Sequence, residues 1–204
     1  LLPIVPTHAG LQQLLFRYGI VPAEDIFRYV WQYLGLYGSS RGQFKTAYDL
    51  AYFDANKGIH YLSNHDNQII RTTSTDIATV DNGTDGVMFK HNPRYQSFMF
   101  SKPDPGRSLL DEIIVAPMNF AHGRLTADQN RLLWAIWLQS LLFDSMLADR
   151  PILLLKGEKG SGKSVGLQKI GMMLLGGNFK VTPLPTKEGD FVTRVTSTPF
   201  TVLD

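Results

Sequence analysis

Eight consecutive residues, 157–164, constrain the fold of this chain more than any other stretch. Their sequence matches the pattern G-x-x-x-x-G-K-[ST] at every fixed position. A loop of this composition curls tightly because glycine adopts positive φ angles, and its backbone N–H groups can then surround an anion. The pattern therefore predicts a phosphate-binding P-loop between a strand and a helix. Its residues are Gly157, Glu158, Lys159, Gly160, Ser161, Gly162, Lys163 and Ser164.

The segments on either side of this loop match the surroundings that a P-loop needs. Residues 151–155 form a short apolar run, which is typical of a buried parallel strand. Residues 165–175 are predicted to form a helix with one apolar face. Because strand, loop and helix follow in the required order, we favour a P-loop over a glycine-rich turn that contains a lysine by chance. The apolar face comprises Leu167, Ile170, Met173 and Leu174.

The chemistry of such a loop is carried by a few groups. Lys163 is expected to contact the β- and γ-phosphates, and the Ser164 hydroxyl is expected to ligate Mg²⁺. The helix that begins near Gly162 adds its positive dipole end. We therefore predict ATP and Mg²⁺ as cofactors, residues 157–164 as the nucleotide-binding loop and Lys163 as a catalytic residue.

A second motif lies at 200–204, where a largely apolar run ends in Asp204. Behind a P-loop, such a run is the Walker B pattern, whose carboxylate binds Mg²⁺ or its waters. We predict Asp204 as a catalytic residue and, with Ser164, as a metal ligand, on a strand beside the P-loop strand. The alternative is an ordinary core strand that ends in aspartate.

The first part of the chain is predicted to be helical. Two helices are expected at 8–18 and 22–36, followed by a loop at 35–42. The second helix carries an apolar stripe that is more typical of packing than of a cofactor site. The stripe comprises Ile26, Phe27, Val30, Trp31 and Leu34.

Residues 45–90 alternate short β-prone runs with the turn dipeptides Asn-Gly and Asp-Gly. This spacing predicts a small antiparallel meander. His60, His65 and Asp66 suggest a metal site, but no matching ligand cluster accompanies them in the sequence. We therefore favour solvated loop residues at these three positions.

Residues 90–107 mix basic with aromatic side chains, and Asp104 is the one acidic residue among them. Such a mixture can bind a single nucleic-acid strand through phosphate contacts and base stacking. Without a recognised nucleic-acid-binding fold the mixture carries little specificity, so we favour a linker between the meander and the segment that follows.

A long helix is predicted to begin at Thr126, because Thr126 and Gln129 form a capping box. It is expected to extend to about Leu147. Apolar residues surround most of it, which indicates burial on several sides. After the P-loop helix we expect a strand at 179–182 and a short helix near 187–190.

The 204 residues carry a formal net charge of +2, which favours no particular class of partner. The absence of cysteine excludes disulfides, thiol nucleophiles and cysteine-based zinc sites, and is compatible with a cytoplasmic location. The sequence contains no run of the ~20 mostly apolar residues that a membrane span needs, so we expect no membrane partner. Both ends of the chain lie in apolar runs, so we expect a fragment of a longer protein.

Together these segments predict an α/β fold class. A partial P-loop ATPase core with a parallel sheet follows an α+β region that contains the small antiparallel meander. The expected domains are a helical segment at 1–44, a small β-rich domain with a linker at 45–125, and a partial P-loop domain at 126–204.

Residues 126–204 resemble the helicase-type ATPase module of phage and mobile-element replication proteins. These are superfamily 3-like members of the AAA+ class and include the helicase halves of primase-helicases. The resemblance rests on the apolar helix, the run at 151–155, the P-loop and the short interval before Asp204.

This resemblance implies an ATP-driven DNA helicase or translocase that forms a homo-oligomeric ring. It also implies a sensor residue and an arginine finger beyond Asp204, so we expect this segment alone to be inactive in hydrolysis. Two alternatives stay open on the sequence. One is a regulatory or signalling NTPase that does not move along DNA, and the other is a partner-binding module in residues 1–125 with an incomplete ATPase attached.

Overall fold

The computed structural model describes residues 7, 9–42, 45–102, 104–121, 123–147, 149, 151–196 and 198–203. The chain forms two compact units, Leu1–Thr46 and Ala47–Asp204. The second unit contains the antiparallel sheet together with residues 157–164, the predicted P-loop. Helices and strands are mixed along the chain, as the predicted α/β class requires.

The first unit contains two helices, α1 (Ala9–Phe16) and α2 (Asp25–Arg41), as predicted. The predicted loop at 35–42 is wrong, because α2 continues through most of it. The cost of about 1 kcal/mol for each glycine in a helix is offset by continued backbone hydrogen bonding and by stacking of Tyr33 on Tyr37. Of the predicted stripe, Phe27 is buried, Val30, Trp31 and Leu34 pack against the core, and Ile26 is exposed.

The second unit begins with six strands, and four of them confirm the predicted antiparallel meander. The strands are β1 (Ala47–Tyr48), β2 (Ala51–Asp54), β3 (Ile59–Ser63), β4 (Gln68–Thr72), β5 (Ile77–Asp81) and β6 (Met88–Phe89). Strands β2 to β5 are antiparallel neighbours in chain order, whereas β1 and β6 form a separate parallel pair. Gly58 (φ 65°) and Gly83 (φ 104°) supply the left-handed conformations that two of the turns use.

The α-helices among the described residues of the second unit are α3 (Ala127–Ser140), α4 (Lys163–Leu175) and α5 (Glu188–Thr196), and a short π-helix spans Asp111–Val115. The predicted capping box at the start of α3 is confirmed: Gln129 N–H donates to Thr126 Oγ1, and Thr126 N–H donates to Gln129 Oε1. The predicted length is wrong, because α3 ends at Ser140 and a short 3₁₀ turn, Asp144–Met146, follows. The short helix predicted near 187–190 is confirmed as the start of α5.

Helix α3 is buried on one side, so the prediction of burial on several sides is also wrong. Trp134 and Leu138 lie in the core, while Leu132, Leu133 and Ile136 are each more than half exposed. Leu132 and Ile136 are four residues apart and project from the same outer face of the helix.

The predicted buried strand at 151–155 is wrong, because the described residues of this segment form no strand pairing. Leu153 and Leu155 pack against the core, whereas Ile152 and Leu154 are 95% and 89% exposed. Only alternate side chains therefore reach the interior. A parallel-sheet strand would be covered on both faces.

In the carboxyl-terminal part of the chain, residues 182 and 203 lie on two segments that run parallel and pair with each other. Thr182 N–H donates to Val202 O over 3.1 Å, and Thr182 forms a parallel bridge with Leu203. The segment ending at Leu203 therefore lies beside Thr182. The prediction that it pairs with residues 151–155 is wrong for the described residues.

Helix α4 packs on the main core of the second unit through one face. Ile170, Leu174 and Leu175 are buried, and Leu167 packs beside them, whereas Met173 is largely exposed and was wrongly placed on this face. Gly171 allows the helix to approach Phe179, whose ring occupies the space that a Cβ at Gly171 would need. This close approach fixes α4 against the segment that carries Phe179.

Replacing Gly171 with alanine is expected to lower the free energy of unfolding of the second unit by about 1–3 kcal/mol, because overpacking must separate the ring of Phe179 from α4. Gly189→Ala on α5 is the matched control, since a Cβ there meets open space. Alanine is favoured over glycine in a helix by up to ~1 kcal/mol, so this control should raise stability slightly. Urea unfolding followed by circular dichroism measures the free energy of unfolding of both variants. Equal changes in the two variants would contradict the close packing of Phe179 on Gly171.

Candidate functional site

The segment 157–164 forms a tight curl that leads directly into α4. Gly160 and Gly162 adopt φ angles of 84° and 82°, which side chains with a Cβ rarely allow. Ser161 N–H donates to Glu158 O over 3.2 Å and closes a turn within the loop. Gly162 is the N-cap of α4, and its carbonyl accepts from Gly166 N–H over 2.9 Å. The loop therefore ends at the positive end of a 13-residue helix.

Lys163 is the first residue of α4, and its side chain folds back over the loop. Its Nζ donates to the carbonyl oxygens of Gly157 and Glu158, both over 2.9 Å, and to Ser161 Oγ over 3.1 Å. These contacts join the two sides of the curl through one ammonium group. The cation that the sequence assigns to phosphate binding therefore lies at the loop and not out in solvent.

The loop leaves little room on its inner side. A Cβ at Gly157 would lie 3.0 Å from Ser161 Oγ and 3.7 Å from Lys163 Cδ. A side chain at this position would press on the Ser161 hydroxyl, whereas its contact with Lys163 Cδ would be an ordinary van der Waals contact. Ser164 lies beside Lys163 on the first turn of α4 and is partly buried, whereas Glu158 and Lys159 are exposed.

The predicted acid of the second motif, Asp204, lies outside the described residues. The segment that leads to it is placed: Phe200 and Val202 are buried in the same core as Ile170 of α4. The described part of the chain contains no group of three or more histidine or acidic residues that could hold a metal ion. A metal at this site would therefore need ligands from elsewhere, such as nucleotide phosphates.

The far end of α4 is held by the sheet and by the segment after it. His65 is 95% buried, and its Nε2 donates to Leu174 O over 2.8 Å. Gln96 N–H donates to Leu175 O over 3.0 Å, and Gly177 N–H donates to Gln96 Oε1 over 3.0 Å. These three bonds satisfy carbonyl and amide groups that a helix end leaves without intrahelical partners.

The histidines of the meander are structural, and the prediction of solvated loop residues is wrong for both. His65 is buried against α4, and His60 lies on β3, where its Nε2 donates to Leu142 O over 2.9 Å. Asp66 is exposed, as predicted. Sequence reasoning missed His65 and Gln96 because a histidine or glutamine that holds a distant helix end has no local signature.

Burial lowers the pKa of both histidines below the ordinary value of 6.5. For His65 the hydrogen bond to Leu174 O works in the opposite direction, and the positive charge of His91 adds to the lowering. Since a carbonyl can only accept, each Nε2 carries the proton in the neutral ring. Charging either ring therefore costs more free energy in the folded state than in the unfolded state, where water surrounds the ring.

Comparison of the chain with models of protein families, with curated proteins and with solved structures found no match. Within the described ranges, no helix combines the length and the apolar character that crossing a bilayer demands. The site must therefore be interpreted from its own geometry.

Acidification is expected to destabilise the second unit through these histidines. Because their folded pKa values are lowered, the unfolded state binds more protons below about pH 6.5, and the free energy of unfolding falls as pH drops through the folded pKa values. His65→Gln keeps an N–H donor at the same reach but does not titrate, so it should reduce this pH dependence to the part due to His60 while preserving most stability at pH 7.

The control for this measurement is His91→Gln, which removes an exposed histidine. Urea unfolding at several values between pH 5 and pH 8 should show most of the pH dependence retained in the control. A His65→Gln variant with the same slope as the wild type would contradict the assignment.

Proposed function

We propose that the loop 157–164 binds the phosphates of ATP and that the chain belongs to an ATP-driven motor. The observation that carries the proposal is the position of Lys163, whose Nζ bridges Gly157 O, Glu158 O and Ser161 Oγ at the start of α4. A lysine, a glycine curl and a helix N-terminus at one place form a concentrated positive site. A triphosphate is the ligand whose charge and size suit such a site.

The residues present fit a nucleotide phosphate group. The inner side of the loop lacks a Cβ at Gly157, and the left-handed Gly160 and Gly162 let the backbone approach a ligand closely. On binding, Lys163 exchanges two carbonyl oxygens and a hydroxyl for charged phosphate oxygens. The ammonium now contacts neutral oxygens, whereas a phosphate oxygen carries an opposite charge, so the added Coulomb attraction favours the bound state.

Ser164 is the residue of the loop that would ligate Mg²⁺, with Asp204 as the expected acid. Magnesium in proteins is commonly held by one or two protein oxygens together with substrate phosphates, which agrees with the lack of a protein-only metal cluster among the described residues. When bound, Mg²⁺ supplies charge neutralisation at the transferred phosphoryl group. Lys163 orients the same group and stabilises its negative charge.

The motor part of the proposal rests on the resemblance of residues 126–204 to superfamily 3-like helicase modules. In that proposal a ring of identical subunits couples nucleotide binding and hydrolysis to movement along DNA. The three bonds at the far end of α4 support such coupling, because they connect the nucleotide loop through one rigid helix to the meander and to residue 96.

Lys163→Ala is expected to weaken Mg-ATP binding by roughly 10- to 150-fold, because a hydrogen bond to a charged group contributes about 1.5–3 kcal/mol. Isothermal titration calorimetry of the full chain measures the change. Lys169→Ala removes the same charge from an exposed position on the same helix and should bind as the wild type does. Wild-type affinity in Lys163→Ala would overturn the nucleotide site.

A DNA-dependent motor further predicts that single-stranded DNA changes the affinity for Mg-ATP. Coupling between two sites is reciprocal and typically about 5- to 150-fold in affinity, so saturating oligothymidylate should shift the Kd of Mg-ATP by at least about fivefold. The measurement does not require turnover. An unchanged Kd, with nucleotide binding intact, would favour the regulatory NTPase over the motor.

A further inference from the structure

A cleft of about 770 Å³ lies at the opposite end of α4 from the P-loop. It extends from Leu175 along the segment that begins at Phe179, reaches α5 and is also lined by residues 200–202, which lead to Asp204. None of residues 157–164 lines it. The 13 residues of α4 place its two ends about 18 Å apart at 1.5 Å per residue, so the cleft is separate from the nucleotide loop.

The charges of this cleft are mainly positive. Arg94, Lys180 and Arg194 line it, with Asp190 as the one acidic residue among its lining. Arg194 is held in place by a hydrogen bond to Pro183 O. Within the part of the chain that the structure describes, the side chains of Arg94 and Lys180 form no ion pair or hydrogen bond, and both are exposed. Two cations are thus free to contact an anion.

One partly exposed aromatic ring lies in the same cleft as these cations. Tyr95 lines the cleft and is fixed at one edge by His65, with ring centroids 5.1 Å apart. Phe179 and Phe200 form part of the same wall but pack into the core, so Tyr95 is the ring that a base can reach. Several hydroxyls of the cleft, including those of Thr182 and Thr193, donate to backbone carbonyls, so Arg94 and Lys180 are the main anion ligands.

We infer that this cleft binds a short stretch of single-stranded nucleic acid. Cations beside aromatic rings suit alternating phosphates and unstacked bases, and a base can stack on any aromatic face without regard to sequence. A duplex keeps its base faces covered, and an acidic peptide has no base to stack on Tyr95. The choice of a nucleic acid rests on the proposed function, whereas the chemistry of the cleft does not depend on nucleotide binding.

The segment that carries Arg94 and Tyr95 also touches the end of α4. Gln96, the next residue, accepts from Gly177 N–H and donates to Leu175 O. Gly176 has a φ of 98°, and the Cβ of Gln96 lies where a Cβ at Gly176 would stand. A strand in the cleft therefore contacts the segment that holds the far end of the P-loop helix.

Arg94→Gln and Lys180→Gln test the inference by fluorescence anisotropy of a labelled dodecathymidylate with the full chain. Each variant should reduce the slope of log K against log salt by about 0.7, the value for one phosphate contact on a single strand. The double variant should bind at least about fivefold more weakly at 0.1 M salt. Asp190→Asn should instead bind more tightly, because a carboxylate repels phosphate.

Two controls separate this cleft from the nucleotide loop. Lys169→Gln removes a positive charge outside the cleft lining and should leave oligonucleotide binding unchanged. Lys163→Ala should lose Mg-ATP affinity but keep the salt slope, while the Arg94 and Lys180 variants should keep Mg-ATP affinity. If the nucleotide-binding tests fail, the cleft assignment therefore stands. If the oligonucleotide tests fail, the nucleotide site stands.

Competition identifies the ligand. Unlabelled dodecathymidylate should displace the probe, whereas thymidine monophosphate or an oligoglutamate of equal charge should need far higher concentrations. Equal competition by the monophosphate would show that the cleft binds a small phosphate ligand and not a strand. Equal competition by oligoglutamate would show that the cleft is a non-specific patch of positive charge. Unchanged slopes in both Arg94→Gln and Lys180→Gln would place the binding elsewhere.

Discussion

The packing of α4 on its core is the constraint on which the candidate sites depend. Ile170, Leu174 and Leu175 bury one face, and Gly171 brings the helix against Phe179. Because α4 is fixed in this way, the positions of both of its ends are also fixed. One end carries the phosphate-type loop with Lys163, and the other lies beside the positively charged cleft.

The hydrogen bonds at the far end of α4 give the meander a role that its sequence does not show. The sheet presents His65 to the carbonyl of Leu174, and the segment after the sheet presents Gln96 to Leu175. Both contacts satisfy helix carbonyls that would otherwise need water or a cap. The meander is therefore attached to the helix that follows residues 157–164, and the two share one compact unit. Protonation of His65 would cost free energy because the ring is buried, although the hydrogen bond to Leu174 O itself favours the charged ring.

The elements with local signatures could be predicted from sequence. The capping box at Thr126, the turn glycines of the meander and the start of α4 after Gly162 each depend on contacts within a few residues. The sequence predictions are wrong where contacts between residues far apart in the chain decide the structure. The apolar run 151–155 has the composition of a strand, but a strand requires a partner, and only alternate side chains reach the core. The apolar surface of α3 is covered on one side because few elements surround it.

By itself the sequence determined the tight curl at residues 157–164 and the start of α4, because glycine freedom is a local property. It also determined the antiparallel meander, since turn dipeptides set where each strand ends. Only the tertiary structure decided that Lys163 folds onto Gly157 and Glu158 and that His65 holds the end of α4. It also decided that Arg94 and Lys180 line one cleft. Those arrangements join residues far apart in the chain, and no local preference specifies which distant groups will meet.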